Sequence, residues 1–384
     1  MEVYLDYSAT TCPSAKAFDK MKKVLLTDYG NPSSMHQKGM DAENVMKEAR
    51  SILAKSLKVN DKEIIFTSGG SESNNLAIIG AALANQRAGK HIITTQIEHA
   101  AVRNPMEYLK EQGFEITYLG VDEFGCISLE ELKNAMTEQT ILVSVMHVNN
   151  EIGTIEPIAE AAKIIHEINP NCLFHVDAIQ SYGKLVLYPK KMGIDMCSVS
   201  GHKIHGPKGS GFLYVREKVK LKPLIYGGGQ ENGYRSGTEN VPAIAGLAVA
   251  AEEMTSDLTG HFAHFKQLHD EFVQGILTIT GVSINSPKNE MAVPYIISVS
   301  VADVRSEVML HALEERGIYV SAGSACSSNR PAVSQTLQAI HLRQDLLDKT
   351  IRFSFGVDTT SEEIEYAVNT MKEIIPVLSK YRRH

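Results

Sequence analysis

The chain has 384 residues, 43% of them hydrophobic and 22% charged, with a formal net charge of −7. A length of this order suggests two domains of about 150 residues or more, with enough buried surface to need no disulfide or metal. The acidic balance argues against nucleic acid or an anionic membrane as the main partner, and no run of about 18 apolar residues is present to span a bilayer.

The N-terminus, MEVYLDYSATT, lacks a basic stretch followed by an apolar run, so it does not read as a secretory signal. From about residue 36 to 255, short apolar runs alternate with helical patterns. The first amphipathic helix carries Val45, Ala49, Ile52 and Leu53 along one face. Seven runs read as buried strands: EIIFT (63–67), HIITT (91–95), FEITYL (114–119), ILVSVMHV (141–148), CLFHVDA (172–178), MCSVS (196–200) and GFLYV (211–215). A helix opens at Ser128 with Glu131 at capping-box spacing. Strands alternating with helices imply an α/β fold with a mostly parallel sheet. The last three strands follow too closely for helical crossovers throughout, which predicts some antiparallel pairing. After about residue 256 the texture becomes that of a smaller α+β unit. A long helix there runs through EFVQGILTI, followed by YIISVSV (295–301), a helix near 306–316, YVSAG, RFSFG (352–356) and a last helix capped by Thr360 with Glu363.

Cysteines at 12, 126, 172, 197 and 326 are widely spaced and form no C-x-x-C pair. This fits the reduced thiols of a cytoplasmic protein, and the Cys/His spacing of a zinc site is absent.

Ligands in an open α/β sheet bind beyond the carboxyl ends of the strands, and several chemically loaded residues fall there. EIIFT runs into SGGSESNN and then a helix, so Gly70 and Ser71 open a helix N-terminus suited to an anion. A Gly-rich turn with a serine cap accounts for the same letters. GPKGSG (206–211) lacks the P-loop spacing, and no G-x-G-x-x-G opens a helix after a strand. Asp177 closes an apolar strand, where a carboxylate is costly without a cationic or donor partner; a helix cap is the plainer alternative. Lys203 lies just beyond another buried strand, flanked by glycine, histidine and proline, an unusual setting for a solvated turn lysine. A strand-end Asp, a strand-end Lys and an anion cradle together suggest pyridoxal 5′-phosphate, whose aldehyde takes the amine and whose ring nitrogen takes the carboxylate.

Nine segments in order then resemble one family: YLDYSATT, YGNPSSMH, TSGGSESNN, EHAAVRNP, HVNNEIGT, HVDAIQSYGK, SVSGHKIHGPKG, GGGQENGYRSGTEN and SAGSACSS. They resemble the cysteine desulfurases of the NifS/IscS group, with the first group's form of cysteine loop, within the class V aminotransferase-like, fold-type I pyridoxal-phosphate enzymes. The resemblance implies a large domain over 13–255, with a mostly parallel seven-stranded sheet, and a small one over 1–12 and 256–384. It implies that Lys203 bears the cofactor and moves protons, and that Asp177 pairs with the ring nitrogen. Gln180 and Asn150 would bond the ring hydroxyl oxygen, and His99 would stack on the ring and act as an acid or base. Gly70, Ser71, Ser200 and His202 would hold the phosphate, with Thr238 contributed across a homodimer. Asn31 and Arg352 would bind the substrate carboxylate. Cys326 sits among small residues whose backbone moves freely; it would take sulfur from L-cysteine as a persulfide, release L-alanine, and pass the sulfur to an iron–sulfur scaffold or a tRNA-thiolating protein. Cys172 and Cys197, set among apolar neighbours, read as core residues instead. Ser8 stands where the family more often has alanine, and Gly70-Ser71 where Ala-Thr is common. A selenocysteine lyase or another enzyme of the same fold is the alternative reading.

Overall fold

The structure is a computed structural model that describes residues 1–322 and 334–380, so Cys326 lies outside the described residues. After the short β1 (Val3–Tyr4), the chain lays down β2 (Ile64–Thr67), β3 (His91–Thr95), β4 (Glu115–Leu119) and β5 (Thr140–Met146). Next come β6 (Leu173–Asp177), β7 (Met196–Ser200) and β8 (Gly211–Val215). Among the described residues β2 to β8 form one seven-stranded sheet in the order β2-β8-β7-β6-β5-β3-β4. All seven apolar runs therefore became its strands.

The pairings of β4 with β3, β3 with β5, β5 with β6 and β6 with β7 are parallel, while β8 is antiparallel to both β7 and β2. The reason is chain length. Residues 201–210 join β7 to β8 with only a short turn, and a parallel return needs a crossover of a dozen residues or more. Strands β5 and β7 are buried from end to end, as a sheet covered on both faces demands. Val143 and Val145 of β5 pack with Leu53, Ile158 and Leu247 on one face. Leu142 packs with Ala77, Ile78 and Val102 on the other. Cys172 and Cys197 are buried in the first of these clusters, small hydrophobes as expected.

A second group of elements follows: β9 (Val282–Ile284), β10 (Ile296–Val301), β11 (Ile318–Tyr319), β12 (Ser321–Ala322) and β13 (Thr350–Ser354). β12, β13, β10 and β9 make an antiparallel sheet in that order, and β1 pairs in parallel with β11. Helices Leu258–Ile276 and Ser361–Leu378 cover it, and the apolar cluster they share also takes in Val3 and Leu5. The N-terminal residues thus pack with the late part of the chain. The described part of YVSAG contributes to two short strands, β11 and β12, and the long helix ends at Ile276, before the LTI of its sequence pattern. Thr360 and Glu363 close the expected capping box. Ser128 caps its helix, but the Glu131 carboxylate accepts from the Gly120 amide at 3.1 Å and does not complete a box. Among the described residues no helix is long and apolar enough to cross a membrane.

Candidate active site

A cavity of about 230 Å³ opens at the carboxyl ends of the central strands. Its floor is set by turns that each strand makes as it leaves the sheet. β2 ends at Thr67, and Gly69 turns the chain with φ of +147° into the helix Gly70–Asn85. That backbone region is open essentially to glycine alone. A Cβ on Gly70 would stand 2.2 Å from Cδ1 of Ile179, so glycine keeps this end of the cavity clear. The first amides of the helix carry its positive end. Ser71, Ser200 and His202 line the same cavity, so hydroxyls and amides gather where an anion is favoured. Nδ1 of His202 lies 3.2 Å from the Thr10 hydroxyl. Burial and the neighbouring Lys203, Lys208 and Lys184 drive its pKa down to about 4, so the ring is neutral at physiological pH.

Asp177 ends β6 and is 4% exposed. Oδ2 accepts from Nδ2 of Asn74 at 2.8 Å and Oδ1 from the Ile179 amide at 3.0 Å. Burial pushes its pKa up; those two hydrogen bonds, His99 and Lys203 pull the other way. Such a carboxylate is balanced best by a cation placed in the cavity. His99 caps the helix Ala100–Glu111, its Nδ1 accepting from the Ala101 amide at 3.1 Å. That bond fixes the tautomer: the neutral ring carries its proton on Nε2. Burial holds the pKa of His99 below its ordinary value against the pull of Asp177, and Lys203, Arg103 and Arg352 push it the same way as burial.

Lys203 closes the turn after β7, and its Nζ donates to the Ser8 carbonyl and, at 2.7 Å, to that of Ala9. Nε2 of Gln180 donates to the same Ser8 carbonyl at 3.0 Å, while its buried Oε1 has no partner among the described residues. Arg352 projects from β13 and is 3% exposed. Its guanidinium donates to Oδ1 of Asp6 at 2.8 Å and to the Asn150 carbonyl at 2.9 Å, leaving the buried Nε without a partner among the described residues.

Buried polar atoms are seldom left unpaired in a finished site. Here an unmatched acceptor on Gln180, an unmatched donor on Arg352, a carboxylate in want of a cation and an open helix N-terminus face one cavity with a lysine in it. The donor set fits pyridoxal 5′-phosphate: Gly70, Ser71, Ser200 and His202 at the phosphate end, Asp177 at the ring nitrogen, Lys203 at the aldehyde.

The cavity brings together Gly70, Ser71, His99, Asn150, Asp177, Gln180, Ser200, His202, Lys203 and Arg352. Two other expected residues stand apart. Thr238 is exposed and lines a separate cavity of about 160 Å³ with Ser68, Arg235 and Glu239. Asn31 is exposed in the turn ahead of the second helix, its Oδ1 accepting from the Ser33 amide at 2.9 Å. Cys326 falls in the segment outside the described residues. That segment begins just after β12, where Ser321 pairs with Arg352 across the sheet.

Sequence reasoning missed the residues that hold the chemical ones. Asp6 anchors Arg352, and the Ser8 and Ala9 carbonyls hold Lys203; all three lie in YLDYSATT, a motif to which no role had been attached. Glu98 is buried beside His99, Oε1 accepting from the Thr95 hydroxyl at 3.0 Å and the Met146 amide at 2.8 Å. Burial and the nearby Asp177 push its pKa well above the carboxylate range. It ties the ends of β3 and β5 together directly behind the cavity.

Known proteins share this sequence and fold. The family model for class-V aminotransferases matches residues 3–367. Cysteine desulfurase IscS of Dictyoglomus turgidum is 44% identical over 378 residues, which is 98% of this chain and 95% of that protein. A solved NifS-like protein superposes with a TM-score of 0.93 at 39% identity, covering 98% of this chain and all of the other. SspA, solved in complex with cysteine, superposes with a TM-score of 0.81 at 36% identity, covering 92% and 99%. The fold, the cavity and these likenesses agree, and the chain belongs to the class-V aminotransferase family of pyridoxal-phosphate enzymes, in its cysteine desulfurase branch.

Proposed function

We propose that the protein converts L-cysteine to L-alanine and carries the released sulfur on Cys326. The observation that carries this reading is the single cavity that joins Lys203, Asp177, His99 and Arg352 at the strand ends. When bound, the cofactor supplies an aldehyde for a lysine amine and a protonated ring that draws electron density from the substrate Cα. The chain's own residues do the rest. Arg352 binds the substrate carboxylate through its unmatched donor, with Asn31 as its proposed helper. Lys203 takes a proton from Cα and returns it elsewhere on the same frame. His99, neutral with its proton on Nε2, offers an acid close to the ring. The Cys326 thiolate forms a bond to the substrate sulfur as the Cβ–S bond breaks. The electron pair of that bond stays with carbon, which takes a proton and becomes the methyl group of alanine; the sulfur is oxidised to the persulfide level and the carbon is reduced.

Residues 13–255 form the cofactor-binding unit, and 1–12 with 256–384 the unit that carries the cysteine. The protein works as a cytoplasmic homodimer in which Thr238 reaches the partner's phosphate site; its place outside its own cavity supports that reading. The sulfur passes to an acceptor protein, an iron–sulfur scaffold or a tRNA-thiolating protein. Cys326→Ala is the test. It retains cofactor and binds L-cysteine, but protein-bound persulfide and alanine fall to background; alanine formed at the native rate by the variant defeats the assignment.

A further inference from the structure

One edge of the large sheet is closed by an ion pair that the proposed chemistry does not use. β2 is the edge strand, so the backbone groups it turns away from β8 need partners from elsewhere. Arg50, on the helix Gln37–Leu57, donates from Nη1 to the Ile64 carbonyl, and its guanidinium lies over the Phe66 ring, 4.4 Å from the centroid. Oε2 of Glu231 accepts from the Phe66 amide at 2.8 Å and from Nη1 of Arg50 at 2.9 Å, and Oε1 accepts from Nη2 at 2.6 Å. The Glu231 side chain is 3% exposed. A buried bidentate pair demands exact placement of both partners, and removing either one strands the other's charge.

What the pair holds is the loop 227–240, in which the short turn Glu231–Gly233 precedes Thr238. Glu231 and Asn232 take φ of +49° and +57°, and non-glycine residues persist in that region only where surrounding contacts fix them. Oε1 of the adjacent Gln230 accepts from the Gly237 amide at 2.9 Å, one residue before Thr238. Nε of Arg235 adds a second tie, donating to Oε1 of Glu72 at 2.9 Å. Glu231 and Thr238 line the same cavity of about 160 Å³. We propose that Glu231 is a positioning residue that works in trans: anchored on Arg50 and β2, it holds the loop, through Gln230 and Gly237, in the shape that presents Thr238 to the partner's phosphate site. This rests on the reading of Thr238 as a ligand of the partner's cofactor phosphate. A brace that served only its own chain, through Phe66 and the turn at Gly69, would act on that chain's own site instead.

The experiment measures cofactor affinity in mixed dimers, from the absorbance of pyridoxal 5′-phosphate joined to Lys203 as it is titrated into the apoprotein. In the Glu231→Gln homodimer the affinity falls about ten- to a hundred-and-fifty-fold, as for the loss of one charge-assisted bond. A dimer of one Glu231→Gln subunit and one Lys203→Ala subunit regains wild-type affinity, because the surviving lysine faces the intact loop of the other chain. The mirror dimer, with both substitutions in one subunit and a wild-type partner, stays weak although its lysine belongs to an unsubstituted chain. Unchanged affinity in the homodimer, weak binding in the first mixed dimer or tight binding in its mirror overturns the proposal. If Glu231→Gln does not fold, Gln230→Ala, which breaks the bond to Gly237, takes its place in the same dimers with the same expected outcomes. Thr238→Ala in both arrangements separates the two levels of the argument. A Thr238 defect that crosses to the partner while that of Glu231 does not sinks the positioning role alone; a Thr238 defect that stays in its own chain sinks the reading beneath it.

Discussion

Replacing Arg352 by leucine tests the site through stability as well as activity. The guanidinium is 3% exposed and spends two donors on the Asp6 carboxylate and the Asn150 carbonyl. Leucine removes both and leaves the Asp6 carboxylate without its cation. Breaking a fully buried pair from one side costs about 3–5 kcal/mol. The Asp6 side chain keeps 18% of its exposure, so water recovers part of that, and about 2–4 kcal/mol is expected at neutral pH. The loss depends on pH in a defined direction. Burial already raises the Asp6 pKa against the pull of Arg352, and without the arginine it rises further. A carboxyl whose folded pKa lies above its unfolded value costs nothing while protonated in both states, and it destabilises progressively as pH rises through the folded value. The deficit of Arg352→Leu is therefore small near pH 4 and full by about pH 8. Urea or thermal midpoints of the apoprotein at pH 5 and pH 8, for wild type, Arg352→Leu, Asp6→Asn and the double variant, measure it. Asp6→Asn in the leucine background removes the stranded charge and recovers much of the loss at pH 8. A deficit equal at both pH values, or a double variant as unstable as Arg352→Leu, refutes the reasoning. In the holoenzyme the same variant loses the proposed anchor for the substrate carboxylate. At about 1.5–3 kcal/mol for the one charge-assisted bond its unmatched donor would make, kcat/KM falls about ten- to a hundred-and-fifty-fold.

Asp177→Asn separates stability from function. Its burial disfavours the ionised form, so the apo variant is at least as stable as wild type at pH 8, Asn74 turning its unmatched Oδ1 toward the new amide. Turnover falls about a hundredfold or more as the ring nitrogen loses its counter-charge, and an apo midpoint well below wild type at pH 8 would count against this account. Gly69→Ala places a side chain at φ of +147° and costs about 1–3 kcal/mol. It also lowers cofactor affinity, because the turn sets the helix end that faces the phosphate. Unchanged thermal midpoints in both apo and holo forms would show that the turn relaxes freely.

The sheet was legible because its strands are buried on both faces, so β5 and β7 stand out as continuous apolar runs whatever lies around them. The antiparallel return of β8 was legible from chain length alone. The weaker readings failed where local pattern competes with long-range contact. Glu131 has the spacing of a capping box, but the Gly120 amide, 11 residues away, takes its carboxylate. Lys203 and Asp177 were visible because a charged group at the end of a buried strand is costly and calls for a reason. Asp6 and Ser8 were not, because their partners lie 346 and 195 residues away, at Arg352 and Lys203. No periodicity encodes a contact at that separation. Only the fold brings YLDYSATT to the cavity.

Several groups at and behind the cavity oppose folding of the apoprotein. Asp177 and Glu98 are buried acids pushed toward their neutral forms, and Lys184 is a buried amine pushed toward its own. Gln180 and Arg352 each keep one buried atom unmatched. A sequence selected for stability alone would replace several of these with apolar residues of similar volume. Asp177, Gln180 and Arg352 line one cavity, so the surrounding packing supports them until a ligand supplies the missing partners. A ligand that binds only the folded state then adds stability in proportion to its affinity. The cofactor should accordingly raise the thermal midpoint of wild type by more than that of Asp177→Asn, because only wild type gains the ion pair on loading.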